Sequence, residues 1–310
     1  LHLCDRRQRQ MCIRDRVMIS KKGKVHITEQ SCTKTAPKQQ TEHNRKKKYL
    51  IPEGEMIEPL VDMGIFTKEG KIVQSMYDKY RQINRFVELV DDAVKNRELT
   101  HLNIIDFGCG KSYLTFILYH YFTNIRKIPV HMTGLDLKED VIEKCNLAAK
   151  KYGYKNLHFE LGDICGYQSS EQVDMVITLH ACDTATDHAL YHAVRWNTEM
   201  IFSVPCCQHE LNSQIQSEDY SILTRYGLIK ERTAALMTDA IRANLLEACG
   251  YKTDILEFVD FAHTPKNLLI RAKKKPVSKD QKEKRIGEVE RLMQEYHLQP
   301  VSYTHLTLPT

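Results

Sequence analysis

The most constraining feature of this 310-residue sequence is the alternation of short apolar segments with segments of helical periodicity. The apolar segments predict seven strands, at 102–106, 131–135, 156–160, 173–179, 199–204, 253–259 and 266–273. Helical spacing between them predicts helices near 111–122, 138–152, 184–195, 208–226 and 238–249. This strand–helix repetition predicts a parallel, doubly wound α/β sheet.

The last two predicted strands differ from the others because the chain between them is too short to hold a helix. A parallel crossover needs roughly a dozen residues or more, so these two strands should pair as an antiparallel hairpin. We therefore predict a Rossmann-like sheet of seven strands, parallel except for its C-terminal hairpin. An N-terminal helical segment, with a helix at 75–96, should precede the sheet.

The remaining segments differ in character from the sheet region. Both ends resemble translated adapter read-through, and we exclude them as non-native. We predict read-through at 1–16 and at 300–310. Between them lie a basic linker or the remnant of a truncated N-terminal domain (17–48), the helical segment (49–98) and the sheet domain (99–275). The last predicted segment, 276–299, is a basic connector followed by a C-terminal helix near 280–297.

Composition narrows the cellular setting and the partners. No apolar run reaches the roughly 18 residues of a membrane span, so we expect no membrane association. Ten cysteines without a secretory signal indicate a reducing, cytoplasmic setting. Residues 21–48 and 266–285 each have a net charge of +7, which leaves −9 for the rest of a chain of net charge +5. Such basic flanks either attract a polyanion such as RNA or are solvated segments without a partner.

A glycine-rich turn follows the first predicted strand, in Ile104-Ile-Asp-Phe-Gly-Cys-Gly-Lys-Ser. Gly108 and Gly110 let the backbone approach a ligand closely, and Ser112 is placed to cap the next helix. Asp106 ends the strand, where a pyrophosphate-binding enzyme has no use for an anion. A carboxylate there suits a ligand with a cationic amino group and a sulfonium, although it is also a plausible helix-capping acid.

Two further acids end the next two strands. Asp136 follows the second strand, where a carboxylate can accept hydrogen bonds from ribose hydroxyls. Asp163 follows the third, where it can accept from an adenine amino group. Either acid alone is compatible with an ordinary surface loop. Three acids at successive strand ends instead indicate one nucleoside-containing ligand at the switch point of the sheet.

The fourth and fifth strands end in residues suited to the acceptor side of the site. His180 and Asp183 are candidates to take a proton from a hydroxyl group, whereas Thr184 and Asp187 also fit a helix cap. Cys206 and Cys207 are candidate nucleophiles, zinc ligands or packing residues. Adjacent cysteines chelate poorly together, so we predict no metal site.

These motifs, with His263-Thr-Pro-Lys-Asn-Leu-Leu-Ile-Arg, resemble a bacterial family of class I S-adenosylmethionine-dependent methyltransferases with poorly defined substrates, over about 44–299. The stretches around His180 and Cys206 are also similar, locally, to those of eukaryotic tRNA 2′-O-methyltransferases, although no accessory zinc finger is recognisable. Ser112 stands where such families usually have a third glycine.

The resemblance implies methyl transfer from S-adenosylmethionine, with RNA (tRNA or rRNA) as the expected acceptor. Ribose methylation would use His180 and Asp183, whereas methylation of a pyrimidine carbon would need one of the cysteines as a nucleophile. Two alternatives remain: methylation of a protein or small molecule, and a binding module that keeps the fold without catalysis. The sequence does not indicate an oligomeric state.

Overall fold

The computed structural model describes residues 48–95, 97–179, 181–257 and 268–307, together with strands at 16–19 and 25–28. Residues 1–47 form a separate compact unit, in which Arg16–Ile19 pairs antiparallel with Val25–Thr28. All other elements belong to the unit that begins at Lys48.

The larger unit is built on a seven-stranded sheet. Its strands are β1 (Leu102–Phe107), β2 (Val130–Asp136), β3 (Leu157–Leu161), β4 (Met175–Thr178), β5 (Met200–Ser203), β6 (Tyr251–Glu257) and β7 (Leu268–Lys274). Their spatial order is β3-β2-β1-β4-β5-β7-β6, with β1 to β5 parallel and β7 antiparallel to both of its neighbours. The predicted fold, including the C-terminal antiparallel hairpin, is confirmed.

The strand order places a switch point between β1 and β4, where the chain changes the direction in which it builds the sheet. Ligands of open α/β sheets bind at the carboxyl ends of the strands beside such a point. All of β1 and β4 is buried, as expected for parallel strands covered by helices on both faces.

Helices surround the sheet. They are α1 (Glu58–Asp62), α2 (Tyr77–Val94), α3 (Tyr113–His120), α4 (Glu139–Lys151), α5 (Thr184–Arg195), α6 (His209–Gln214), α7 (Ser221–Thr224), α8 (Gly227–Ala248), α9 (Lys279–Tyr296) and α10 (Val301–Thr307). Shorter turns of 3₁₀ or π geometry lie at Gln74–Met76, Tyr121–Ile125 and Ile164–Gly166. None of the helices in the described ranges is long and apolar enough to cross a membrane.

Two apolar layers cover the sheet. On one face, Phe86 and Val90 of α2 and Phe116 of α3 pack against strand residues such as Ile104 and Phe202. On the other, α5 and α8 pack against β1, β4, β5 and β7. The helix before the sheet thus covers a sheet face, and its N-terminal turn reaches the start of α3, where Lys79 Nζ lies 5.1 Å from the ring centroid of Tyr113.

The region between β5 and β6 departs from the prediction. Instead of helices at 208–226 and 238–249, α6 ends at Gln214, and α8 begins at Gly227 and continues unbroken to Ala248. The exposed apolar side chains of Leu228, Ile229 and Leu236 spread around the first half of α8 and obscure its helical periodicity. The C-terminal helix predicted near 280–297 is observed as α9.

Val301–Thr307, inside the predicted read-through, form α10. Leu306 is buried in an apolar cluster with Ile241 and Leu245 of α8, and the His305 ring centroid lies 4.6 Å from that of His188 on α5. The non-native origin assigned to 300–310 stays a prediction.

Candidate functional site

The glycine-rich turn connects β1 to α3 at the switch point. Gly108 and Gly110 have φ values of 68° and 52°, in the left-handed region that favours glycine. The backbone N–H groups of Gly108 and Cys109 donate to the Leu135 carbonyl at 2.9 and 3.0 Å, which ties the turn to the end of β2. A Cβ at Gly110 would meet no atom within 4 Å, so this backbone borders open space that a ligand can enter.

Ser112 does not cap α3 as predicted. It adopts a left-handed conformation with φ 55°, and no side-chain cap hydrogen bond is formed. Its hydroxyl instead donates to the Gly110 carbonyl at 3.2 Å, within the turn. A left-handed backbone at this position explains why glycine is the usual residue of the pattern, since only glycine adopts it without steric cost.

Asp106 lies beneath the turn and is almost completely buried. One carboxylate oxygen accepts a hydrogen bond from the Thr115 hydroxyl, whereas Oδ1 is buried without a partner. Burial, with a smaller contribution from the nearby Asp136 carboxylate, raises the pKa of Asp106 to about 7. A buried, unpaired carboxylate oxygen beside an open glycine turn suits a cationic ligand, which would both pair this oxygen and favour its ionised form.

Asp136 and Asp163 are held by backbone N–H groups. Asp136 accepts from Gly110 N at 2.9 Å and from Lys138 N at 3.1 Å, so its carboxylate joins the end of β2 to the glycine turn. Asp163 is exposed and accepts from Cys165 N at 3.1 Å. The structure thus brings Asp136 to the turn and to Asp106, as predicted, and places Asp163 at the end of the neighbouring strand β3. Each acid keeps carboxylate lone pairs for a ligand.

On the other side of the switch point, Asp183 begins α5 after the end of β4. Its backbone has φ 51° and ψ −123°, a conformation that non-glycine residues rarely adopt. Asp183 Oδ1 accepts from Glu210 N at 3.2 Å, which joins this loop to the loop after β5. His180, the second predicted proton acceptor, lies outside the described residues. The first five residues of the motif that begins at His263 also lie outside them.

A buried ionic cluster that the sequence did not indicate holds this loop in place. Arg242 of α8 is fully buried and pairs with both oxygens of Asp187, at 2.7 and 2.8 Å. The same guanidinium donates to the Asp183 carbonyl at 2.9 Å and to Asp239 at 3.4 Å, and Gln208 donates to Asp239 at 3.2 Å. Asp187 is therefore an ion-pair partner, not a helix cap. The signal available in the sequence was an arginine among the apolar residues of α8.

Three cysteines meet between the ends of β4 and β5. The Sγ atoms of Cys182, Cys206 and Cys207 all lie within 4.8 Å of one another, with 3.1 Å between those of Cys182 and Cys206. Burial and the neighbouring thiols raise the pKa of Cys206 to about 12. The sequence predicted no metal site because adjacent cysteines chelate poorly as a pair, whereas the fold brings a third thiol to them from the loop after β4.

The chain is similar to several known proteins. A family model described as a methyltransferase domain matches residues 78–214, from α2 to the end of α6. The matched region contains β1 to β5 and the glycine turn, and the match supports methyl transfer with S-adenosylmethionine as the cofactor.

Among curated proteins, the chain is similar to a human glutathione S-transferase C-terminal domain-containing protein, with 22% identity over 230 residues, covering 66% of this chain and 34% of that protein. The chain thus spans about a third of the length of the curated relatives it matches.

Two methyltransferases are among the solved structures to which the chain is similar. The Haemonchus contortus phosphoethanolamine N-methyltransferase 1, in complex with phosphoethanolamine and S-adenosylhomocysteine, has 16% identity and a TM-score of 0.42, over 71% of this chain and 50% of that one. The magnesium protoporphyrin IX methyltransferase of Synechocystis PCC 6803, with bound S-adenosylmethionine, has 15% identity and a TM-score of 0.41, over 66% and 86%.

Proposed function

We propose that this chain transfers a methyl group from S-adenosylmethionine to RNA, with a ribose hydroxyl as the preferred acceptor. The central observation is Asp106, whose buried and unpaired Oδ1 lies beneath a glycine turn that borders open space. A buried carboxylate with one oxygen left without a partner is costly, and a bound cation offsets that cost. S-adenosylmethionine carries such cationic groups beside a nucleoside.

In the donor half of the site, at the ends of β1 to β3, each residue would have a separate role in binding the cofactor. Asp106 would attract the ammonium group of the cofactor's methionine moiety, and Gly110 would allow its close approach. Asp136 would accept hydrogen bonds from the ribose hydroxyls, and Asp163 from the adenine amino group. The cofactor would supply an activated methyl group, and these residues would orient it toward the ends of β4 and β5.

The acceptor half needs a group that removes a proton as the methyl group is transferred to a hydroxyl. Asp183 lies in the loop between β4 and α5, and its carboxylate accepts a hydrogen bond from the Glu210 N–H. The Arg242 guanidinium holds the same residue by its carbonyl. His180 stays a proposed second proton acceptor. For methylation of a pyrimidine carbon, Cys206 or Cys207 would instead act as a nucleophile and form a covalent RNA adduct.

The first half of α8 supports RNA as the acceptor. Arg242 contacts the loop after β4, and Gly227 lies fifteen residues earlier, about 22 Å along the helix. The C-terminal end of α8 leads into β6, which begins at the end of the sheet away from the carboxyl ends of β1 to β5. The N-terminal half of α8 therefore extends toward those carboxyl ends, where the site lies. Tyr226 is exposed there, with the Arg225 guanidinium 5.9 Å from its ring centroid. Exposed aromatic rings beside arginines provide stacking surfaces for unpaired bases.

The two basic segments differ in their relation to this site. Residues 21–48 lie mostly outside the described residues. Lys273 and Lys274 end β7, which runs antiparallel to β5, so they lie at the edge of the sheet opposite to the strand ends that form the site. Whether this part of the C-terminal basic segment contributes to RNA binding stays a prediction.

Mass spectrometry of nucleosides from cells with and without the gene tests the proposal. The loss of one 2′-O-methylated nucleoside, restored by the wild-type gene but not by Asp106→Ala, is the expected result. An unchanged set of RNA nucleosides would contradict RNA as the acceptor and favour a protein or small-molecule substrate. Trapping of a covalent adduct with a 5-fluoropyrimidine RNA would contradict the hydroxyl acceptor.

A binding assay tests the proposed surface on α8. The double variant Arg225→Ala/Tyr226→Ala should weaken binding to unstructured RNA by about 1–3 kcal/mol, because a stacking platform and a cation are removed. Arg291→Ala on α9 is a matched control, since Arg291 is also exposed but belongs to a different helix. Equal RNA affinity of the double variant and the control would remove this surface from the interface.

A further inference from the structure

The three cysteines between β4 and β5 have the arrangement of a set of metal ligands. Cys182 follows β4, whereas Cys206 and Cys207 follow β5, and the three Sγ atoms lie within 4.8 Å of one another. Within the described ranges, these residues form the one group of three or more potential ligand side chains that meets this distance. The cluster is partly exposed, so an ion can reach it from solvent.

The distances suit a thiophilic ion. Zinc binds thiolates at about 2.3 Å in tetrahedral geometry, which places two sulfur ligands about 3.8 Å apart. The Sγ atoms of Cys182 and Cys206, 3.1 Å apart, are closer than this value, and no two of the three sulfurs are more than 4.8 Å apart. Small side-chain rotations would therefore bring all three sulfurs into a zinc coordination sphere, and soft thiolate ligands select zinc over magnesium or calcium.

We infer that Cys182, Cys206 and Cys207 bind one zinc ion, with the fourth coordination position available to water or to the methyl acceptor. Three protein ligands and one open position are the pattern of zinc sites that take part in chemistry. The ion would tie together the loops after β4 and β5, the same loops that the hydrogen bond from Glu210 N to Asp183 connects. The role of the ion beside the methyl acceptor rests on the proposed function, whereas zinc binding by the three cysteines does not.

Metal uptake by the full-length protein tests this assignment. The protein is reduced, treated with a chelator, desalted and titrated with zinc chloride in competition with a chromophoric chelator. We expect uptake of one zinc ion per chain. Cobalt chloride should give the near-ultraviolet thiolate-to-cobalt charge-transfer band and the visible bands of a tetrahedral site, and zinc should remove both.

Serine variants assign the ligands. Cys182→Ser, Cys206→Ser and Cys207→Ser should each weaken zinc binding more than tenfold, since loss of an outer-shell partner alone costs roughly that much. Cys249→Ser is the matched control, because that thiol lies at the end of α8 and donates to the Leu306 carbonyl. Circular dichroism shows whether each variant is folded. Unchanged zinc affinity in folded variants would overturn the assignment, as would a reduced wild-type protein that takes up no zinc.

Cofactor binding, measured on the same samples, separates this inference from the proposed function. Zinc uptake through the three cysteines by a protein that does not bind S-adenosylmethionine would contradict the proposed function and leave the metal site intact. Binding of S-adenosylmethionine without zinc uptake would contradict the metal site and leave the proposed function intact. A Cys182–Cys206 disulfide in the isolated protein, with no zinc bound once it is reduced, would assign the cluster to thiol oxidation and overturn the metal site.

Discussion

The two halves of the candidate site, on either side of the switch point, are assembled in different ways. The donor half, at the ends of β1 to β3, is held mainly by backbone N–H groups that donate to carbonyls and carboxylates, such as Gly110 N to Asp136. The acceptor half, at the ends of β4 and β5, depends on side chains from α8, above all on Arg242. The donor half depends on contacts within and between the ends of neighbouring strands, whereas the acceptor half requires the completed fold.

This difference has energetic consequences. Removing a carboxylate from the donor half deletes contacts with a ligand and leaves a backbone turn that is still tied to β2. Removing Arg242 from the acceptor half leaves the carboxylates of Asp187 and Asp239 buried without their cation. Breaking a buried ion pair is far more costly than losing a surface contact. Variants in the donor half should therefore mainly weaken ligand binding, whereas variants in the acceptor half should lower turnover or stability.

The largest expected effect is on turnover in the acceptor half. Asp183→Asn should lower methyl transfer by about 100- to 10,000-fold, because the amide cannot take a proton from a hydroxyl acceptor. Asparagine has nearly the same shape as aspartate, and its amide oxygen can still accept from the Glu210 N–H, so the loop should be retained. Affinity for S-adenosylmethionine, measured by calorimetry, should remain nearly unchanged. A variant that turns over at the wild-type rate would remove Asp183 from the chemistry.

The next effect is on stability. Arg242→Ala should lower the free energy of unfolding by about 3–5 kcal/mol, since two buried carboxylates lose their partner. Urea unfolding followed by circular dichroism measures this change, with Arg291→Ala as an exposed control on α9. A loss no greater than that of the control would show that the buried cluster does not hold the acceptor half together.

The donor half should respond to pH through Asp106. Its pKa is about 7 in the folded protein against an ordinary value of 3.8, so the folded state retains a proton that the unfolded chain has lost. The contribution of this group to stability is therefore lost as pH rises from about 4 to about 7, by up to about 4 kcal/mol. Asp106→Asn should flatten that part of the stability profile.

Urea unfolding across this pH range checks the prediction by difference. Other buried acids, such as Asp239 with its pKa raised to about 6, are common to both proteins and cancel when the profiles are subtracted. Parallel profiles for the wild-type protein and Asp106→Asn would show that Asp106 does not titrate in this range. Saturating S-adenosylmethionine should reduce the difference, because a cation at Oδ1 favours the ionised carboxylate.

The contrast between the two halves also explains which parts of the fold and of the site could be predicted from the sequence. Hydrophobic periodicity indicated all seven strands and located α5 at its observed bounds, and the acids of the donor half follow directly from strand ends. The Asp187–Arg242 pair joins residues 55 positions apart, and no local pattern indicates such a partner. Cys182 was likewise not linked to Cys206, because only the parallel pairing of β4 and β5 brings their ends together.

The central claim is that the donor half binds S-adenosylmethionine, and isothermal calorimetry tests it most directly. Asp136→Ala should weaken binding by about 1.5–3 kcal/mol, roughly ten- to a hundredfold, through loss of hydrogen bonds to the ribose. Asp106→Ala should also weaken it, whereas Asp140→Ala, at an exposed aspartate of α4 paired with Lys144, should not. Wild-type affinity in both Asp106→Ala and Asp136→Ala would contradict the account.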